Sequence, residues 1–533
     1  MRSYLPVIYD NRGELYRHAI AESNLYNCVP TILADGEIGS APRAEFGTQS
    51  NAPSDAADRG RGVTAFAGID ELYLDQTSYY YSGGNTDLTA TSSPGYAGNT
   101  GFNEEYLGSF VEHKVSGVTN LVIVNPGHSS THASAKHGCV WYAANGASAP
   151  ASISDADMPG NNGVSLVRGG ASLDGYLFLG DINGQIHNSN LNDITAWTAT
   201  DFLTASRDNG IGVYIGRHHN DVVSISTKGI EFFYNAGNAS GSPLARRTDV
   251  YHSVGCFTPN TIIEVGDVIY FHGTNRDGRA GVYRLQNYQL EIISNAFVET
   301  MTNVLAGVNP DVTALDSLID YMWMVRITTS NTPGLLLTYN NSASHYWHEK
   351  TGQWSRWACG IAAIDYRGGT TTADWSFILP IVSHNQIDGE GLSYYQLTNG
   401  RVIDVNASGT DAINDWSSAN APDAFMQFPR WDAGTDKKKR VNWTRVITAP
   451  VSSTGTMNVD LRWFDYTREQ TSGPIPPDTN YSTARTVNLN IRGARVTRCG
   501  TTRERSFILD WPTGHGPRTV VKGLEIDYDI VGE

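Results

Sequence analysis

Charged side chains are scarce in this chain. Asp, Glu, Lys and Arg make up 17% of its 533 residues, against ~25% in an average globular protein. Cysteine is scarcer still, with five residues, Cys28, Cys139, Cys256, Cys359 and Cys499, each more than 100 positions from the next. There is no Cys-x-x-Cys, which excludes a zinc ribbon or a thioredoxin-type site, and the odd number argues against a disulfide framework. A reducing site of assembly is expected. No run of about 18 apolar residues occurs, so no transmembrane helix is expected. The opening Met1-Arg-Ser-Tyr-Leu-Pro6 lacks the roughly 7–15-residue apolar stretch of a signal peptide. Helical periodicity is nearly missing: only 296–305 and 311–320 carry it, and Pro310 divides them, so short helices inserted between β units are expected there. With 54 glycines and 21 prolines, the chain stays below the ~25–30% of disordered low-complexity sequence. A coiled coil, a collagen and a disordered chain are all excluded. What remains, 40% hydrophobic and 10% aromatic, is a turn-rich β protein with a neutral surface.

The net charge of −16 is unevenly spread. Residues 430–533 hold 16 Lys and Arg against 12 Asp and Glu, a balance of +4, whereas 1–429 hold 22 against 42, a balance of −20. So acidic a segment repels phosphate and is a poor general DNA binder. The single basic run, Lys437, Lys438, Lys439 and Arg440, reads either as a solvated loop or edge-strand charge or as a contact to an acidic partner or phosphate.

Beyond a loop-like first 65 residues, short apolar runs recur. Taking Leu72, Leu121, Tyr176, Val222, Val268, Met322 and Trp375 as markers, the runs repeat every 46–55 residues. Four-stranded propeller blades repeat every ~40–50. Second strands follow turns at Gly180-Asp-Ile-Asn-Gly184, Ser226-Thr-Lys-Gly229, Asn275-Arg-Asp-Gly278 and Asn399-Gly400. Such turns supply the positive φ that a hairpin needs. The pattern predicts a β-propeller of six or seven blades over 66–425. After it, alternating strands near 441–447, 457–464, 487–491, 506–511 and 524–530 predict a small C-terminal antiparallel β-sandwich over 426–533. The segment 472–478 is expected to be an exposed loop.

Candidate chemistry is sparse. His128, His132, His137 and Cys139 fall within twelve positions. Zinc would require three or four of them to converge at ~2.0–2.3 Å, and a Gly/Ser-rich loop offers no helix to set that geometry, so they are read as polar loop residues. His218-His219 is read the same way. The pairs Asp70-Glu71, Glu104-Glu105 and Asp388-Gly-Glu390 are read as solvated charges, because neighbours on a strand point to opposite faces and the last is a turn. No Ser-x-Asp-x-Gly-x-x-Trp repeat, Gly-x-Ser-x-Gly, Walker loop or His-Glu-x-x-His is present. No enzyme, metal or cofactor is expected. Tyr346, Trp347, Trp354 and Trp357 form an aromatic cluster, read as blade packing or an interface anchor, with a sugar-stacking platform as the alternative.

Several segments resemble the tail hub, or nozzle, proteins of short-tailed bacteriophages, also called packaged-DNA stabilisation proteins. The most specific is Lys228-Gly-Ile-Glu-Phe-Phe-Tyr-Asn-Ala-Gly-Asn-Ala-Ser-Gly-Ser-Pro-Leu-Ala-Arg246. It is similar to the family's Ile-Glu, aromatic residues, Gly turn and following apolar residue. Ser189–Trp197 with Phe202, Ala205 and Asp208 resembles the preceding blade. Gly255-Cys-Phe-Thr-Pro259, Val268–Leu285, Leu335-Leu-Leu-Thr-Tyr-Asn340 and Trp354-Ser-Arg-Trp357 resemble the following ones. Asn24-Leu-Tyr-Asn-Cys-Val-Pro30 and Arg61-Gly62 are similar to the family's N-terminal pattern. The likeness covers about residues 20–400. The longer N-terminal loop region and the C-terminal domain depart from it. The resemblance implies a non-enzymatic homo-hexameric ring in the virion tail, assembled in the host cytoplasm. The ring would extend the portal and adaptor channel, help retain packaged double-stranded DNA, conduct it at ejection, and dock tailspikes or fibres and a tail needle. The competing reading is a carbohydrate-binding or glycan-hydrolysing propeller, motivated by the aromatic cluster and the carboxylates.

Overall fold

The computed structural model describes residues 1–6, 24–26, 28–33, 35–42, 47–48, 62–66, 69–74, 79–81, 84–86, 107–115, 117–128, 136–144, 151–295, 298–299, 322–329, 332–339, 344–357, 381–384, 394–397, 402–404, 424–428, 431, 433–435, 437–449, 458–465, 484–489, 494–503, 505–511 and 520–531. These residues are almost all strand and turn, with a 3-10 turn at Pro259–Thr261. The chain is an all-β protein built around a β-propeller. The expected helices at 296–305 and 311–320, apart from 298–299, and the loop at 472–478 lie outside the described residues.

Antiparallel four-stranded meanders follow one another along the chain. The first is Gly62–Phe66, Ile69–Leu74, Tyr79–Tyr81 and Gly84–Thr86. Next come Ser109–Val115, Val118–His128, Lys136–Ala144 and Ala151–Ser152, then Ala171–Leu173, Tyr176–Gly180, Gln185–Asn190 and Asp193–Thr204. Gly212–His218, Asp221–Ser226, Ile230–Asn235 and Leu244–His252 make the fourth, with Arg168–Gly169 added parallel to its first strand. In the fifth, Val254–Gly255 and Ile263–Val265 both pair with Val268–Asn275, followed by Ala280–Gln286 and Gln289–Ile292. Met322–Thr329, Thr332–Tyr339, Ser344–His348 and Gln353–Trp357 form another. Ile381–His384, Tyr394–Leu397 and Val402–Asp404 form the last, and its outer strand is Gly47–Thr48 from the far end of the sequence. Ile381–His384 also touches Gly62–Phe66, so the last meander abuts the first.

The continuous apolar runs have a packing cause. Successive residues of a strand face opposite sides, and here both sides are covered by neighbouring sheets. Val222 enters one core cluster with Phe178, Ile186 and Phe233, while Val223 enters another with Phe232, Ile269 and Phe271. Likewise Ile269 and Phe271 face one neighbour, and Tyr270 packs with Met322, Met324 and Trp347 on the other. A strand buried on both faces reads as unbroken hydrophobic sequence. Five of the described markers, Leu72, Leu121, Tyr176, Val222 and Val268, lie on second strands. Met322 opens a first strand instead, after the longer 293–321 connection. Trp375 lies outside the described residues.

The turns carry the expected chemistry. Gly184 and Gly278 adopt φ of 76° and 80°. Asp181 Oδ1 accepts the amides of Asn183 and Gln185, and Ser226 Oγ accepts those of Lys228 and Gly229. These side chains satisfy turn amides that the ladder leaves unpaired.

The first 65 residues differ from the loop expectation. Within them lie Arg2–Pro6, Asn24–Tyr26, Cys28–Ile32, Ile38–Pro42, Gly47–Thr48 and the start of Gly62–Phe66. Arg2–Pro6 pairs antiparallel with Val521–Ile530. Asn24–Tyr26 pairs with Ala424–Gln427 and bridges Gln353–Trp357 through Tyr26 and Arg356. One nine-stranded sheet therefore runs from the 322–357 meander into the C-terminal strands Ala424–Gln427, Arg505–Trp511, Asn458–Asp465 and Arg485–Asn488. A seven-stranded sheet holds Lys439–Thr448, Val521–Ile530 and Arg495–Thr497 with the N-terminal strands. A single core cluster joins the two sheets, including Leu5, Leu25 and Cys28 beside Val441, Leu461, Phe507, Leu509, Leu524 and Ile526. The lead segment's partners lie hundreds of positions away, so local composition does not encode its pairing.

Candidate functional site

The basic run at 437–440 is split by the fold. Lys439 opens Lys439–Thr448 on the core side and is fully buried. Its Nζ donates to the carbonyl of Thr435 and, at 2.7 Å, to that of Arg503. A buried ammonium needs such acceptors, so this lysine holds two loops together and does not face a partner. Arg440 points outward and pairs with Asp529 at 3.1 Å. Lys437 and Lys438 are exposed, with no acidic partner among the described residues. Only part of the run is therefore available for contact.

The aromatic cluster is internal. Ser344–His348 and Gln353–Trp357 form a hairpin that sets Trp347 opposite Trp354. Tyr346 and Trp357 stack at 4.3 Å with an 18° interplanar angle. Tyr346, Trp347 and Trp357 are buried. Trp357 Nε1 donates to the carbonyl of Cys28, at 3.2 Å, and to Ser355 Oγ, at 3.0 Å. Trp354 Nε1 donates to the carbonyl of Ile293. Closed over in this way, the rings tie the 344–357 hairpin to the N-terminal strand and to the preceding meander. Tyr346, Trp347 and Trp357 offer no open face for stacking a sugar, and Trp354 is half-buried.

The histidine segment forms the ends of two strands: Asn125 pairs with Cys139 and His128 with Lys136. His132 lies outside the described residues. Among the described residues no three His, Cys, Asp or Glu side chains gather as metal ligands. Asp70 and Glu71 lie on Ile69–Leu74, and 104–105 and 388–390 lie outside the described residues. His218 is buried beside Tyr288 and Phe232, with Nε2 accepting the Tyr288 amide at 3.2 Å. Burial lowers its pKa to about 4, so it stays neutral. Paired with it across the hairpin, Asp221 is held by Arg247 through Nε and Nη2, and Tyr288 Oη donates to it at 2.9 Å.

Sequence reading missed one cluster where the fourth and fifth meanders meet. Arg168 is buried and donates through Nη1 to the carbonyls of Pro259, at 2.5 Å, and Ile262, at 3.1 Å. Desolvation lowers its pKa to about 10. Its strand partner Tyr214 donates from Oη to Glu264 Oε2 at 2.9 Å, and the Arg217 amide reaches the same oxygen at 3.4 Å. Burial raises the Glu264 carboxyl to about 7, against the lowering effect of those hydrogen bonds. This carboxyl and this guanidinium bind neighbouring segments to one another. No motif announces them, because their partners come from separate meanders.

Among the described residues, no helix is long and apolar enough to cross a membrane. Residues 115–374 match the family described as "Bacteriophage P22 Gp10, beta-propeller". No curated protein matches the chain. Among solved structures, the extracellular domain of a hybrid two-component system from B. thetaiotaomicron is similar at 11% identity and a TM-score of 0.38, over 75% of this chain and 42% of that one. The chain thus spans less than half the length of that protein. The computationally designed Ika8 protein is similar at 11% identity and a TM-score of 0.36, over 67% of this chain and 99% of that one.

Proposed function

Since the chain belongs, through residues 115–374, to the family of bacteriophage P22 Gp10 propellers and is a structural component of a phage tail, we propose that it is the tail nozzle. In this role it extends the portal and adaptor channel, helps retain packaged DNA, conducts it at ejection, and docks tailspikes or fibres. The family match over the successive meanders carries this reading. The chain would act by shape and charge as a homo-hexamer in the virion tail, assembled in the host cytoplasm, and would catalyse nothing. An acidic body favours sliding of DNA, because like charge keeps phosphates off the wall.

We read the meanders as seven blades, with Gly47–Thr48 supplying the outer strand of the last and so fastening the ring. The division we propose is a propeller close to the expected 66–425, beginning with Gly62–Phe66 and taking Gly47–Thr48 as its last outer strand, and, behind it, a sandwich built from Ala424–Gln427 and 426–533 and completed by the strands of 1–42. The enclosed aromatic cluster removes the main motive for a carbohydrate-binding propeller. Electron microscopy of the purified chain with its cognate adaptor tests the reading: a sixfold ring below the adaptor is expected. A chain that stays monomeric beside the adaptor and is absent from purified virions would refute it.

A further inference from the structure

One hairpin turn of the fifth meander is held in a conformation that its residues do not favour. Gln286 pairs with Gln289, so Asn287 and Tyr288 form a two-residue turn, with φ of 50° and 59°. Such a turn takes asparagine followed by glycine readily. A bulky side chain at positive φ is an outlier, and strain of this kind persists only where the surroundings impose it. Here the fourth meander imposes it. The Tyr288 amide donates to His218 Nε2 at 3.2 Å, and the Tyr288 carbonyl accepts from His252 Nε2 at 3.1 Å. Tyr288 Oη donates to Asp221 Oδ2 at 2.9 Å, and Arg247 holds that carboxylate in place. The phenol ring packs edge-on with His218 and Phe232, at 5.0 and 5.3 Å.

The two histidines are not equivalent. A carbonyl can only accept, so His252 Nε2 carries a hydrogen, and this bond survives further protonation of the ring. An amide can only donate, so His218 Nε2 must be bare. A proton there would face the Tyr288 N–H and break the bond. His218 is fully buried. Around it stand His219 and Asp221 of its own hairpin, Arg247 and His252 of the outer strand, and Asp267 and Tyr288 of the fifth meander. Arg217 is turned to the carbonyls of His219 and Ser172. Burial and His219 disfavour the charged ring, while Asp267 and Asp221 favour it. Burial prevails, so the closed ring titrates at about 4 instead of 6.5.

We propose that His218 is the catch of an acid-released latch between the fourth and fifth meanders. Neutral, it holds the strained Asn287–Tyr288 turn on the fourth meander; protonated at Nε2, it lets the turn go. In the freed turn the imidazole meets water and titrates at its ordinary 6.5. The latch is therefore fully closed above that value and is lost as pH falls through the range from 6.5 to about 4. Between pH 8 and pH 5 the open population should rise about thirtyfold. The device belongs to the junction of two meanders and does not depend on the nozzle reading.

The test follows hydrogen exchange of the full chain, residue by residue, at pH 8 and pH 5, with each rate divided by the chemical rate of an unfolded amide at the same pH. Protection of the Tyr288 amide should fall about thirtyfold at the lower pH. Protection of Asn192 should hold, since that amide sits in the corresponding turn of the third meander and donates to the Gly175 carbonyl at 2.9 Å. His218→Gln offers an uncharged acceptor and should keep the turn closed at both pH values. His252→Gln keeps a donor for the Tyr288 carbonyl, and His219→Asn suits a φ of 54°; both should retain the acid response. Circular dichroism identifies a variant that does not fold. If His218→Gln is one, a response that persists in the other two variants supports His218 as the catch. Equal protection of wild-type Tyr288 at the two pH values would overturn the proposal. So would an acid response that persists in His218→Gln, or one that disappears in His252→Gln or His219→Asn.

Discussion

Replacing Trp357 with alanine should loosen the join between the propeller and the N-terminal strands. The indole is fully buried, stacked on Tyr346 at 4.3 Å, and its Nε1 bonds the Cys28 carbonyl at 3.2 Å. Removing a buried tryptophan costs about 3–5 kcal/mol. Part of that is the lost stack, worth about 0.5–1.5 kcal/mol beyond area. Trp357→Phe keeps a ring and removes the donor, and should cost about 1 kcal/mol more than the lost volume alone. The assay is native-state hydrogen exchange, which reads local openings of a large chain that one melting temperature would blur. At ~1.4 kcal/mol per tenfold, the amides of Cys28–Ile32 other than Pro30 and of Gln353–Trp357 should exchange roughly two to three and a half orders of magnitude faster in Trp357→Ala. The acceleration should be much smaller in Trp357→Phe. Unchanged protection in the alanine variant would refute the packing role and return the ring to the surface.

Glu264→Gln should stabilise the chain at pH 8 and do little at pH 5. The folded carboxyl titrates near 7 against an ordinary 4.5, so the native state binds the extra proton between those values and stability falls as pH rises through them. Melting curves across that range check it, and a pH-independent difference would count against it. Gly169→Ala should be poorly tolerated: φ is +90°, and a Cβ would lie 2.0 Å from the Ile215 carbonyl oxygen. Soluble yield and thermal midpoint should both drop, and a wild-type midpoint would contradict the close approach. Arg505→Ala should destabilise the C-terminal sheets by about 1.5–3 kcal/mol, because this buried guanidinium grips Asp465 through two nitrogens and the Cys499 carbonyl through a third, while the Asp465 left behind is 43% exposed and can be solvated. Urea unfolding followed at the C-terminal strands measures it, with Arg505→Met, which keeps the packing, expected to lose less.

Much of the propeller could be read along the sequence because its information is local. A strand covered on both faces is written as an unbroken apolar run, such as Leu177-Phe178-Leu179, and each hairpin carries its own turn chemistry, such as Gly184 after Asp181. The aromatic cluster was visible as composition, but its burial was not, since burial depends on Cys28 and Ile293 arriving from elsewhere. The basic run could be counted, but only the strand pairing turns Lys439 inward and Arg440 toward Asp529. The Arg168, Tyr214 and Glu264 cluster left no trace in the sequence, because isolated residues from two separate meanders carry no spacing. By itself the sequence determined the repeat, the β class and the split of charge, all of which follow from nearest-neighbour patterning. Tertiary structure alone decided that the first residues finish the last sheets, because strand pairing across hundreds of positions is chosen by edges and cores that exist only once the chain has folded.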